Sequence, residues 1–319
     1  SFSDRNIQVP INKMELMATT GKKTILAALI ANLGIAIAKF AGFAITKSST
    51  MLAEGIHSSA DSANQLLLLL GTRRAKREPS SKHPFGYGRE RYFWSFVVAI
   101  ILFSLGSLFA IYEGIEKIRH PHALDNASWA IGILIFGICI ESFSFRTAIV
   151  EAKTIKGKTT WSKFVIRSKQ PEIPVVLLED AGALFGMVIA LAAISMVKVT
   201  GEPIWDGIGT LSIGILLGII ATILAREMHS LIIGEAASEV DRLKIISVIE
   251  NNKQVVELVE MKTQHLGPEE ILIGVRVAFH ETLQTKEIAN LINQLENEIR
   301  IQLKNAGPIF IEPELSEGN

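Results

Sequence analysis

The sequence predicts an α-helical membrane protein with six transmembrane helices, followed by a small α+β domain of order αββαβ and ferredoxin-like outline. Three observations predict it. Six stretches reach the roughly 20 apolar residues that a helix needs to cross a bilayer. The composition agrees: of 319 residues 49% are hydrophobic, and the mean hydropathy is +0.34. Beyond Gly234 the pattern changes to amphipathic helices and alternating strands, the mark of a small soluble domain. The expected organisation is a cytosolic arm over 1–23, a six-helix membrane domain over 24–233 and a cytosolic domain over 234–319.

The predicted spans run over Thr24–Thr46, Met51–Thr72, Tyr92–Glu116, Ala127–Val150, Ile173–Lys198 and Ile208–Ile232. Ser1–Lys23 is polar and leads into a full-length span, so no cleavable signal peptide is expected. Loop charges orient the bundle. Arg73, Arg74, Lys76, Arg77, Lys82, Arg89 and Arg91 lie between spans two and three, and Lys153, Lys156, Lys158, Lys163, Arg167 and Lys169 between four and five. The N-terminal arm adds Arg5, Lys13, Lys22 and Lys23, whereas the opposite loops hold little beyond Lys47, Lys117, Arg119 and Lys198. Both chain ends are therefore expected in the cytoplasm, and an even number of spans agrees with that. A bacterial inner membrane is favoured, and an organelle membrane fits the same pattern. The basic loops read as orientation signals rather than nucleic-acid sites.

In the tail, Glu239–Asn252 reads as an amphipathic helix, Val255–Gln264 and Ile271–Phe279 as strands, and Thr285–Lys304 as a second helix. Gly307-Pro308 is expected to break that helix before a short last strand at Ile309–Ile311. Helices on one face of a small sheet follow from that order. Net charge is zero overall, but acidic residues outnumber basic ones about twofold beyond Gly234. A single cysteine, Cys139, excludes an internal disulfide framework and a cysteine-rich zinc site.

Ionisable groups inside a span cost several kcal/mol and are functional candidates by default. The second span, MLAEGIHSSADSANQ, has the densest set. His57 and Asp61 are four residues apart, on one helical face, with Glu54 a turn earlier. Imidazole nitrogen with carboxylate oxygen suits zinc and its first-row neighbours. Two ligands on one helix do not make a site, so another span must complete it. The fifth span, PVVLLEDAGALFG, offers Asp180 first and Glu179 second, as ligand or proton acceptor. Adjacent residues diverge by about 100° around a helix, so both can face protein only if that helix is enclosed. The competing reading is a buried polar cluster that merely ties helices together. Lys39 reads as a snorkelling or paired lysine, Asn32 as a cavity or bridging residue, and Glu141 with Arg146 as an ion pair. His120, His122 and His229 read as loop histidines. No HExxH or similar hydrolytic motif is present, so an enzyme is not expected.

The ordered set SSTMLAEGIHSSADSANQ, HPFGYGRER, the acidic fifth span and the αββαβ tail resembles the cation diffusion facilitator family of zinc and related divalent metal exporters, and in particular its divergent branch containing VVLLED. The resemblance spans Thr24 to Glu314. It implies a homodimer in the lipid bilayer, alternating access, exchange of a divalent metal ion for protons, and tails shaped like metallochaperones. It also implies a tetrahedral transport site made by spans two and five: His57, Asp61 and Asp180, with Glu179 standing in where Val176 occupies the second histidine position. No prosthetic group is implied. Zn2+ is the implied substrate, and Mn2+, Fe2+ or Co2+ replaces it most readily because oxygen outweighs nitrogen among the ligands. A second family site after span two is expected to be absent, since Tyr87 replaces a histidine beside His83. The tail's metal cluster is expected to be degraded, with Val259, Val275, Glu312 and Glu314 at its ligand positions and His265 and His280 offset. From another class, a membrane metal sensor or scaffold with vestigial transport stays open.

Overall fold

The computed structural model describes residues 29, 33–45, 47, 49–122, 127–157 and 160–314, except for some side chains within its helices, those of Glu54, His57 and Asp61 among them. Among the described residues the chain is mostly helical. The helices are α1 (Leu33–Ile45), α2 (Ser49–Ala75), α3 (Glu90–Arg119), α4 (Ala127–Lys156), α5 (Trp161–Arg167), α6 (Glu172–Thr200) and α7 (Ile204–Ile233). Then follow α8 (Glu239–Glu250), β1 (Val255–Gly267), β2 (Glu270–Phe279), α9 (Thr285–Gln302) and β3 (Ala306–Glu314). Among the described residues four helices are long and apolar enough to cross a membrane: α3, α4 over Ala127–Val150, α6 and α7. The described part of the first predicted span, α1, is a shorter apolar helix, and Asn32 lies outside the described residues.

Local chemistry sets the helix ends. Pro174 sits in the first turn of α6, where its missing N–H costs no hydrogen bond. Gly201, at φ 76°, takes the left-handed conformation just past α6, and Pro203 precedes the start of α7. Ser238 caps α8 by accepting from the Asp241 N–H at 3.2 Å. Gln284 and Glu287 form a reciprocal capping box at the start of α9. Within α3, Leu102–Leu108 is π-helical, a widening that hydropathy does not signal. The short α5 also went unpredicted; its Trp161 and Phe164 rings meet edge to face at 6.3 Å.

The chain divides into two compact units. The first takes the described residues of Ser1–Leu69, Val98–Thr159 and Ile173–Ile223. There α3 and α7 approach backbone to backbone. A Cβ on Gly114 would lie 2.5 Å from the Leu211 nitrogen, and one on Gly214 would lie 2.7 Å from the Ile111 nitrogen. Such distances admit only glycine, the small-residue packing expected where lipid offers no hydrophobic drive. Ser107, in the π-helical stretch, donates to the Gly214 carbonyl at 2.8 Å. Lys117 and Asp206 form a buried ion pair between the same two helices.

The second unit takes Leu70–Val97, Thr160–Glu172 and the described residues from Leu224 onward. Its core is a three-stranded mixed sheet of order β1-β2-β3, antiparallel between β1 and β2 and parallel between β2 and β3. Ile245 and Ile249 of α8 and Leu291, Leu295 and Ile299 of α9 are buried against Ile271, Ile273, Val275 and Val277 of β2. Two tail expectations are corrected. The last strand is nine residues long rather than three, and Gly307-Pro308 lie inside it. The helix already ends at Gln302, and Pro308 is tolerated because β3 is an edge strand bonded on one side only.

Candidate functional site

Glu179 and Asp180 lie in the N-terminal third of α6 and are 4% and 8% exposed. Both adjacent carboxylates are thus enclosed, as the sequence required of a helix that uses both. Enclosure comes from small residues: a Cβ on Gly182 would come within 2.9 Å of Ile220 on α7, and one on Gly137 of α4 would meet Met187 of α6 at 2.9 Å.

Each carboxylate has a partner from a different helix. Asn64 of α2, fully buried, donates its amide N–H to Glu179 Oε1. Ser144 of α4 donates to Asp180 Oδ2 at 3.2 Å. Helices α2, α4 and α6 therefore meet around the Glu179-Asp180 pair. Asn64 follows Asp61 by three residues and His57 by seven, so all three backbone positions share one face of α2. The side chains of His57 and Asp61 themselves lie outside the described residues. Among the described residues Asn64 Oδ1 meets no hydrogen-bond partner. One turn before Asp180, Val176 is half-buried. Lys39 of α1 is buried and donates to Ser58 of α2 at 2.8 Å, so it is paired rather than snorkelling.

Sequence reasoning missed Asn64, Ser144 and the Lys117–Asp206 pair. A neutral polar residue in a helix carries no signal of its own, and Lys117 was counted as a loop charge. The expected Glu141–Arg146 pair does not form: Glu141 is buried and Arg146 exposed, and a five-residue spacing points them well apart on a helix. His120, His122 and His229 are exposed, His120 lying 3.8 Å from Glu116.

In the second unit, Arg91 at the start of α3 makes two hydrogen bonds to Glu172 at the start of α6 and reaches Glu269 in the β1–β2 turn at 3.1 Å. Lys169 pairs with Glu235. Burial pushes the Glu235 carboxyl up, but hydrogen bonds from Lys169 and Ser230 outweigh it and hold the group below its ordinary range. His83 stacks obliquely on Tyr87 at 4.7 Å, and Tyr87 Oη lies 3.1 Å from Ser80 Oγ. In the tail, Val275 is in the core and Val259 and His280 are exposed. Arg276 lies among three carboxylates: it is bonded to Glu314 and within 3.8 Å of Glu260 and of Glu312. Among the described residues no three His, Cys, Asp or Glu side chains gather to hold a metal ion.

Comparison with known proteins matches residues 25–233 to the family described as the cation efflux transmembrane domain. The mouse proton-coupled zinc antiporter SLC30A9, mitochondrial, is 30% identical over 251 residues, 78% of this chain and 44% of the relative. Metal tolerance protein C4 of Arabidopsis thaliana is 30% identical over 274 residues, 85% of this chain and 60% of the relative. Mitochondrial metal transporter 2 of Saccharomyces cerevisiae is 30% identical over 134 residues, 40% of this chain and 27% of the relative. The chain thus spans about half the length of the first two relatives, between 44% and 60%.

Proposed function

Since the chain belongs to the cation efflux family, we propose that it exports a divalent metal ion, zinc first, in exchange for protons by alternating access. The observation that carries the reading is the buried Glu179-Asp180 pair on α6, tied through Asn64 to the helix of His57 and Asp61. Two adjacent buried carboxylates in an apolar helix are costly unless an ion or proton compensates them. His57, Asp61 and Asp180 with Glu179 or water then make a four-ligand transport site of the kind zinc takes. The names of the mouse and Arabidopsis relatives, a proton-coupled zinc antiporter and a metal tolerance protein, support the same substrate class. Three oxygens to one nitrogen make Mn2+, Fe2+ and Co2+ the competitors.

The cycle follows from ligand chemistry. Metal binding requires neutral imidazole and displaces protons. Histidine, with an ordinary pKa of about 6.5, then accepts a proton on the far side and expels the ion. Six spans with both termini in the cytoplasm, a homodimer and the domain limits 1–23, 24–233 and 234–319 complete the proposal, supported by the basic loops and the four long apolar helices.

The test is zinc uptake into proteoliposomes loaded with a zinc-sensitive dye, with manganese, iron and cobalt as competitors. His57→Ala is expected to lower uptake at least tenfold, the low end of what outer-sphere changes alone cost a metal site. Uptake by His57→Ala that is undiminished and insensitive to pH would overturn the role. No flux of any metal in the unaltered chain would turn the reading to a sensor or scaffold.

A further inference from the structure

The C-terminal end of α2 carries Arg73, Arg74 and Arg77, and with Leu70 they line a cavity of about 390 Å3. In the same unit Arg91 is matched to Glu172 and Glu269, Lys169 to Glu235 and Arg276 to three glutamates. Half-buried Arg89 makes no ion pair among the described residues. Exposed Arg73 and Arg77 make none either. Among the described residues neither guanidinium has a carboxylate within salt-bridge distance. Arg74 reaches only Glu90, at 4.0 Å, and Glu90 is already held by the Trp94 indole N–H at 2.7 Å.

Two ordinary causes favour positive charge here, the helix dipole and the orientation of the bundle. Neither makes three guanidiniums converge on one cavity with an apolar floor. Like charges one helical turn apart repel, and an anion seated among them relieves that repulsion. Trp94 supplies the depth. It opens the apolar run of α3, its ring centroid lies 5.2 Å from the Arg74 guanidinium, and a Cβ on Gly71 would meet it at 2.9 Å. Indole rings at span ends sit at the headgroup level.

We propose that this cavity binds the phosphate of an anionic phospholipid, with the head of an acyl chain against Leu70. Guanidinium forks match phosphate oxygens, and basic pockets beside cytoplasmic span ends attract acidic lipids. Leu70 and the level of Trp94 favour a lipid over free phosphate. The inference requires only that the chain spans a membrane, so it stands or falls apart from the transport reading.

The test titrates the full chain in detergent with short-chain phosphatidylglycerol or phosphatidylcholine and reads bound lipid by native mass spectrometry. The unaltered chain is expected to prefer phosphatidylglycerol. Arg73→Gln/Arg77→Gln is expected to weaken that binding roughly 25-fold, about fivefold for each guanidinium at an anionic surface. Lys253→Gln/Lys286→Gln, which removes two exposed charges from the tail, is expected to leave it unchanged. Arg73→Lys/Arg77→Lys keeps both charges but loses the guanidinium forks, and is expected to bind between the glutamine variant and the unaltered chain. Unchanged binding by the glutamine variant overturns the proposal, as does an equal loss in the tail variant or in the lysine variant. Inorganic phosphate displacing the lipid at equal concentration would make this a free-anion site and overturn the lipid assignment.

Discussion

Asn64 and Glu179 are separated by 115 residues yet share a buried hydrogen bond, and Lys117 and Asp206, 89 residues apart, share a buried ion pair. Both contacts fasten helices that have no aqueous hydrophobic effect between them. The ion pair lends itself to a clean measurement. Removing one partner leaves an uncompensated buried charge, so Lys117→Met alone is expected to destabilise the membrane domain by about 3–5 kcal/mol. Replacing both, as Lys117→Met/Asp206→Leu, is expected to recover most of that loss, because two apolar side chains leave no orphan. Reversible unfolding in mixed micelles reads the difference, and a double variant as unstable as the single would contradict the pairing. The candidate site was half legible in the sequence for the same physical reason. His57, Asp61, Glu179 and Asp180 stand out because a carboxylate or imidazole in an apolar run needs a cause. Asn64 and Ser144 do not stand out, since amides and hydroxyls occur in many spans and only a partner far along the chain reveals their work.

At the scale of elements, α3 and the tail differ in what their sequences disclosed. The apolar run of α3 announced a span, but hydropathy says nothing about hydrogen-bond register, so the π-helical stretch at Leu102–Leu108 was invisible. In the tail, alternation marks β2 to within one residue and the expected first strand stops three residues short of β1, whereas Gly307-Pro308 misled because an edge strand tolerates what a central one does not. His265, near the end of β1, is 2% exposed, and its Nε2 has no partner among the described residues. Burial lowers its pKa; the Gly267 carbonyl, Asp241 and Glu235 pull upward, while Lys169 adds to the lowering. The folded ring therefore stays neutral where the unfolded ring takes a proton. Its contribution is full above the ordinary histidine pKa of about 6.5 and declines as pH falls through that value, by at most about 1.4 kcal/mol per pH unit. Hydrogen-exchange protection of β1 and β2 amides in the full chain is expected to be lower at about pH 5.5 than at about pH 7.5, and His265→Leu is expected to flatten that dependence. Equal slopes in the two proteins would remove His265 as the cause.

For the molecule as a whole, the basic loops predict an orientation, which is open to direct labelling. In a chain bearing Cys139→Ser, cysteines placed at Ser80 and at Glu202 are expected to react oppositely with a membrane-impermeant maleimide. Glu202→Cys is labelled from the outside of intact cells, and Ser80→Cys only after permeabilisation. The reverse pattern would invert the bundle and with it the direction of transport. Long apolar helices are legible because bilayer thickness acts on long stretches of sequence. The assembly of helices is not, because it depends on which glycines face which neighbours. The guanidinium of Arg276 among Glu260, Glu312 and Glu314 is a cation fixed by a covalent bond. A coordinated metal fills and empties as its free concentration changes, and a chelator can strip it. A tethered cation has one occupancy at every concentration, so this corner of the tail cannot act as a gauge of free metal.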